Sequence, residues 1–382
     1  MEEVKLHRII SLIPPAYFEL ASLKEQTGSY TYYQVRHPAG IFSINLQDAV
    51  TALNILFLEV NNAQAKKGPL SEEEEESLKK LTTDFLFKLI NYFECGYEVF
   101  LAYSPEDIKP TEKEPLHKWF SGKGNADKIA KYYEKVNPFL ENYRRFFNGL
   151  KHSSNQISIF HFFKENTEDR IIGFYLEGVD ASGAICPVER LHPKYKAERT
   201  AWSYNFHLRI FYFLIYKIAE EIENVVKDLC LLDQPGTQDL LVPIGLETEC
   251  SKAFQSARRF DGAFNIFFPQ EVEEITKTIG LENNDLKFSD HKPTNLTTKG
   301  TGYRAVLRSR SDGFSRTWGF LYMSDNEKKI EDENGNCRNC NHSLSLHQPM
   351  PHDRSNLKAG GVLKCNVMGC LCKLPIIFNV GL

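Results

Sequence analysis

The sequence is short of what would place it in a membrane or on a polyanion. It has no run of roughly 20 uncharged apolar residues, the length a bilayer span requires. The most apolar helical stretch, FHLRIFYFLIYKIAEE at 206–221, is interrupted by Arg209 and Lys217. The start, MEEVKLHRII, lacks a cationic end followed by a long apolar segment, so no secretory leader is read. There is no basic excess either. The net charge of −4 and a pI of about 6.3 exclude a protein that is cationic overall, so any nucleic-acid surface must be local. No internal repeat is visible. These absences predict a cytoplasmic protein without a membrane partner.

What is present describes a globular chain. At 382 residues, 42% hydrophobic and 12% aromatic, it can bury a sizeable core and suggests two or three domains. The predicted fold is mainly α with β insertions. Residues 1–45 carry β-like stretches, SYTYYQV and GIFSINL, broken at Pro14–Pro15 and Pro38–Gly40. A helical domain is expected over 46–232. Its first helix starts near Leu46. Its second starts at Ser71, an N-cap with Glu74 at capping-box spacing and Leu78, Leu81, Phe85, Leu89 and Phe93 at steps of three and four. The five-glutamate run there is read as a solvated helix start rather than a cation site. A third helix runs from an Asn125 N-cap through 126–152, with a kink at Pro138, and a fourth covers 201–232. Between them a β-hairpin is expected, 170–179 against 184–191 across Asp180–Gly183. DQPGTQ at 233–238 reads as a boundary to a mixed α/β region ending at 324, and 325–336 as a charged linker to a C-terminal module.

The third helix ends in YRRFFNGLKHSSN, residues 143–155. At about 100° per residue, Ile129, Tyr132, Val136, Phe139, Leu140, Tyr143, Phe147 and Leu150 form one apolar stripe, which Phe146 flanks. Arg145 and His152, two turns apart, then share an outward face, with Asn148 between them and offset by about 50°. A histidine transfers protons near neutral pH and an arginine neutralises a phosphate or its transition state. One exposed face cannot surround a substrate, but two copies about a two-fold axis can. Arg144 is an alternative phosphate contact. The alternative for the whole stretch is a solvated helix end, with Lys151 and His152 capping the C-terminus.

Arg145–His152, with FFNGLK between, resembles the signature of the HEPN family (higher eukaryotes and prokaryotes nucleotide-binding), an arginine followed by four to six residues and a histidine. The resemblance covers about 45–230, with the hairpin as an insertion. It implies a helical bundle acting as a metal-independent endoribonuclease, homodimeric, in a defence or toxin system such as antiviral defence. His152 would be the general acid/base, Arg145 would stabilise the phosphorane, and Asn148 would orient either one. Glu59 on the first helix is a candidate acidic helper. Phe146 departs from the pattern, since active members carry a polar residue there, and Gly149 is placed to end the helix early. The alternative function is a non-catalytic dimerisation scaffold.

Nine cysteines are present, and five crowd into 337–372. Cys95, Cys186, Cys230 and Cys250 are scattered among apolar neighbours and read as core residues. The cluster is Cys337-x2-Cys340-x-His342-x4-His347-x17-Cys365-x4-Cys370-x-Cys372. Tetrahedral zinc needs four such donors, and a C-x2-C turn supplies two. The pattern resembles zinc-ribbon-like modules. Cys337, Cys340, Cys365 and Cys370 are the favoured ligands of one structural zinc, with Cys372, His347 and His342 as alternates in that order. The module would dock a protein partner or nucleic acid.

Just upstream, YRAVLRSR and FSRTWGFLYM flank Ser311-Asp312-Gly313 as a hairpin would. Strict alternation puts Arg304, Val306, Arg308 and Arg310 on one face, and Phe314, Arg316, Trp318, Phe320 and Tyr322 on one face of the partner strand. Arginines interleaved with aromatics suit an RNA contact; the alternative is an amphipathic hairpin with arginines to solvent and aromatics to the core.

Overall fold

The computed structural model describes residues 5–6, 12–23, 30–68, 70–104, 109–110, 116–120, 126–152, 155–164, 167, 169–181, 183, 185–229, 243–282, 285–295, 297, 303–306, 321–322, 347–349, 362–365 and 373–375. The protein is mainly helical with small antiparallel sheets.

In chain order the first elements are β1 (Lys5–Leu6), α1 (Ala16–Ala21), α2 (Tyr30–Tyr33), α3 (Pro38–Ala65), α4 (Glu72–Leu101), α5 (Leu116–Phe120) and α6 (Ala126–His152). Then follow β2 (Ile157–Lys164), β3 (Arg170–Val179), β4 (Ile185–Pro187), β5 (Trp202–Ser203) and α7 (Tyr204–Leu229). After α8 (Ile244–Ala263) come β6 (Thr276–Glu282), β7 (Asp285–His291), β8 (Tyr303–Val306), β9 (His347–Pro349), β10 (Val362–Cys365) and β11 (Lys373–Pro375).

The β-like reading of residues 1–45 is corrected. GIFSINL is the start of α3, and SYTYYQV contains the helical turn α2. Pro38 sits at the first helical position, where a proline costs no hydrogen bond, and the His37 ring caps the helix by accepting the Ala39 N–H at 3.3 Å. Burial at Ile41, Phe42, Leu46, Ala49, Val50 and Leu53 carries the helix in spite of its β-branched residues. Among the described residues α3 is the helix long and apolar enough to cross a membrane, although 56% of its apolar window is buried inside the fold. In α4 the expected capping box is present: Ser71 Oγ accepts the Glu74 N–H and Glu74 accepts the Ser71 N–H.

α3, α4, α6 and α7 pack as a bundle, α4 against α3, α6 and α7, and α6 against α7. The principal sheet runs β4-β3-β2-β8 with β5 on β3, so the expected hairpin exists and has β2 as its third strand. A second sheet, β1-β7-β6, lies on α7.

The boundary expected at 233 does not divide the core. Leu246, Cys250 and Phe260 of α8, Ile279 of β6 and Phe288 of β7 belong to one continuous apolar cluster with the bundle. Arg209, predicted only as a break in an apolar helix, is fully buried and joins the two halves. Its guanidinium donates to Asp261 Oδ1 at 2.7 Å, to the Phe264 carbonyl at 3.0 Å and to Asn265 Oδ1 at 2.9 Å. A buried charge persists only when paired and bonded in this way.

Candidate functional site

α6 carries the candidate residues, and its local packing decides their phase. The buried face is Ile129, Tyr132, Val136, Leu140, Tyr143 and Phe146. Phe146, expected beside the stripe, is inside it, with its ring stacked on Trp202 at 5.3 Å and 25°. Phe139, expected in the core, is 38% exposed. The buried face drifts because the end of α6 also runs over β3 and Trp202, where Phe146 meets Phe174 and Trp202.

The helix does not stop at Gly149. A β-carbon there would lie 2.5 Å from Leu176 Cδ2, so the glycine allows β3 to approach a continuing helix. Pro138 likewise lies inside α6 without ending it. Arg145 and His152 are therefore separated by two unbroken turns, a rise of about 10.5 Å. Asn148 is exposed, and Arg145 is half-exposed and ion-paired with Glu141 one turn earlier. The helix N-cap expected at Asn125 and the His152 side chain lie outside the described residues.

Arg144 has a different environment. Its guanidinium lies over the rings of Phe93 at 5.4 Å and Tyr133 at 5.6 Å, and Nη2 is 3.4 Å from Glu94 Oε1 on α4. Burial pushes the Glu94 carboxyl up, while Arg144 and His117 pull it down. Glu59 is on α3, whose main neighbours are α4, α7 and α8 rather than α6. Among the described residues, Glu94 of α4 and Glu141 of α6 are the acids that pair with Arg144 and Arg145. Alongside, a cleft of about 250 Å³ between α4, α5 and α6 is lined by Tyr97, His117, Phe120, Ala130, Tyr133 and Glu134.

A second polar group, not foreseen in the sequence, sits at the start of α7. Ser203 donates its N–H to Glu271 Oε1 at 2.8 Å and its hydroxyl to Oε2 at 2.6 Å, while its Oγ accepts the Phe206 N–H and so caps the helix. The Phe268 N–H also donates to Glu271. His207 Nδ1 is 2.7 Å from the Tyr143 hydroxyl, and its Nε2 is 4.0 Å from Glu271 Oε1. Burial pushes Glu271 up to about 8 and His207 well down. It also pushes His192, whose Nε2 accepts the Leu176 N–H, down to about 3. The side chains of Ser203, Glu271, His207, Tyr143 and His192 are all shut off from solvent, so this group ties β5, α7 and the turn at Pro269–Glu273 together rather than meeting a substrate.

Of the arginine hairpin, β8 pairs with β2, and Arg304 is the register partner of Phe163. The Arg304 side chain, Arg308 and Arg310 lie outside the described residues. Tyr322 belongs to the core, as the amphipathic reading of the hairpin has its aromatics: it packs on Phe160, Phe162 and Phe268 and accepts the Ala201 N–H at 3.0 Å.

Cys95, Cys186 and Cys250 are buried free thiols, as expected, with Cys250 pushed up to about 12 by burial. Cys230 and, in the C-terminal cluster, Cys337, Cys340, His342, Cys370 and Cys372 lie outside the described residues. Cys365 ends β10 opposite His347 of β9. Among the described residues no group of three or more His, Cys, Asp or Glu side chains is gathered as a metal site.

Comparison with protein-family models, with curated proteins and with solved structures finds no match to this chain.

Proposed function

We propose that the chain is an endoribonuclease of HEPN type that acts as a homodimer, with Arg145, Asn148 and His152 of each copy forming one composite cleft. The observation that carries the reading is the continuity of α6 through Gly149, which keeps Arg145 and His152 in helical register, together with the exposure of Arg145 and Asn148 beside a well-packed bundle. In this reading His152 takes the proton of an RNA 2′-hydroxyl as O2′ attacks the adjacent phosphorus. The P–O5′ bond breaks, and the leaving oxygen gains a proton from the partner copy's equivalent group. Arg145 exchanges Glu141 for the phosphorane oxygens, and Asn148 orients the phosphate. Neither residue type requires a metal for these roles.

The experiment is cleavage of end-labelled single-stranded RNA by wild type and His152→Ala, with and without EDTA, and circular dichroism as the folding control. Cleavage that persists in EDTA and disappears in a folded variant supports the reading. Equal activity in both proteins overturns it.

The Arg145–Glu141 pair and the burial of Phe146 favour a second reading, a non-catalytic dimerisation scaffold. That reading predicts a dimer with no cleavage by either protein.

A further inference from the structure

The cleft between α4, α5 and α6 plays no part in the ribonuclease reading. It lies toward the other end of α6 from His152: Tyr133 precedes Arg145 by twelve residues, a rise of about 18 Å. Drug-sized ligands take roughly 300–1,000 Å³. At about 250 Å³ this cleft suits a compact head group rather than a whole nucleotide. Three aromatic rings, Tyr97, Phe120 and Tyr133, form its walls. Tyr97 and Phe120 are adjacent, with centroids 6.4 Å apart and planes at 31°, and both are buried. Tyr133 stands at the mouth, 39% exposed. Besides the tyrosine hydroxyls, the polar groups of the lining are His117 and the Glu134 carboxylate. Glu134 makes no hydrogen bond or ion pair with any described residue. A second carboxylate, Glu94, stands one turn before Tyr97 on α4, and its field reaches both Tyr97 and His117. No lysine or arginine is among the described lining residues. Lys128 and Lys131 of α6 turn instead toward Asp228 at the end of α7.

Aromatic faces are negative and attract a cation within about 6 Å of the ring centroid. One cation of the chain already uses this: the Arg144 guanidinium lies over the Tyr133 ring at 5.6 Å and 3.4 Å from Glu94. It offsets Glu94 and leaves Glu134 unmatched. An inorganic cation needs oxygen ligands in place of its water, which a largely aromatic wall does not supply. An alkylated ammonium is weakly hydrated and presents methyl groups to the rings, so the same wall suits it. An anion would meet the Glu134 carboxylate, and a neutral apolar ligand would desolvate it without a partner. We propose that the cleft binds a substituted-ammonium head group, its methyl groups against Tyr97, Phe120 and Tyr133 and its charge neutralised by Glu134. The proposal goes beyond the ribonuclease reading and is independent of it. Such a head group occurs on free solutes and on methylated lysine side chains.

The test is isothermal titration calorimetry of the full chain with choline, with a peptide carrying one trimethyllysine, and with dimethylbutanol, in which carbon replaces the charged nitrogen of choline. Saturable binding of choline or the peptide is expected, and the tighter of the two identifies the source as a free solute or a protein side chain. The neutral isostere should bind at least about tenfold more weakly than choline. Glu134→Gln and Tyr133→Leu should each weaken the tighter cation by about tenfold, whereas Tyr133→Phe, which keeps the ring, should bind as the wild type does. Both positions are exposed, so the substitutions leave the fold intact, and far-ultraviolet circular dichroism reports this for every variant. No saturable binding of either cation, equal affinity for the neutral isostere, or unchanged affinity in Glu134→Gln or Tyr133→Leu would each overturn the proposal.

Discussion

Tyr132 of α6 fills the space that a side chain at Gly96 of α4 would need. A β-carbon at 96 would stand 2.8 Å from the Tyr132 hydroxyl oxygen and 2.9 Å from Cζ. The ring cannot give way, because it stacks on Phe93 at 5.0 Å and 12° and its hydroxyl donates to the Phe93 carbonyl at 2.7 Å. Gly96→Ala gains about 1 kcal/mol in helix propensity but incurs overpacking of about 1–3 kcal/mol. A net loss of about 0–2 kcal/mol is expected in urea unfolding, and a stabilised variant would show that the two helices separate freely.

Stability should fall toward both acid and alkaline pH, through different buried groups. His192 and His207 are held neutral below their ordinary value of 6.5, so the stability they contribute is complete above that value and is lost as pH falls toward about 3, the His192 value. Glu271 is shifted the other way: its contribution is complete below its ordinary value of 4.5 and is lost as pH rises through about 8. Glu94, Glu98 and Glu274, also pushed up by burial, add to the loss as pH rises, so the acid limb reports the histidines and the alkaline limb the carboxyls. Thermal unfolding from pH 4 to 9 checks this. Glu271→Gln should lower stability throughout, since its NH2 meets N–H and O–H donors, but should flatten the alkaline limb.

Arg145→Ala and Glu141→Ala should each change stability by less than about 0.5 kcal/mol, because an exposed pair one turn apart contributes little. If the ribonuclease reading is right, Arg145→Ala should lose roughly 10²-fold or more in cleavage rate through lost stabilisation of the transition state. Glu141→Ala, which frees the arginine, should not reduce it. A large stability loss in Arg145→Ala would instead make the residue a structural one.

Arg308→Glu with Arg310→Glu should weaken RNA binding and flatten its salt dependence if the hairpin after β8 contacts phosphates. Titration at two ionic strengths decides this, and unchanged affinity would return those arginines to a solvated face.

The helices were legible where a period of 3.6 coincided with a cap, as at Ser71 and along α7. α3 was misread because Ile, Phe and Val near its start favour strands locally, whereas their burial against α4 and α8 is a tertiary fact. The exposed phase of Arg145 and Asn148 followed from counting. The position of Phe146 did not, since it depends on Trp202, more than fifty residues away in the chain. Glu94 and the Glu271–His207 group had no signal in the sequence at all. Their partners come from different elements, and only packing brings them together.

The pairing of β1 with β7 ties the first residues to a strand near 290, and the bond from the Tyr216 hydroxyl to the Leu12 carbonyl at 2.8 Å ties them to α7. With α8 lying along α3, the helical core is thus closed by segments that leave the ribosome late. A fragment ending at 232 would bare one side of α3, the helix with membrane-like composition. During synthesis that surface must wait for some thirty further residues, to the end of α8, before it is covered, so the nascent bundle should be a strong client for chaperones that hold exposed apolar helices.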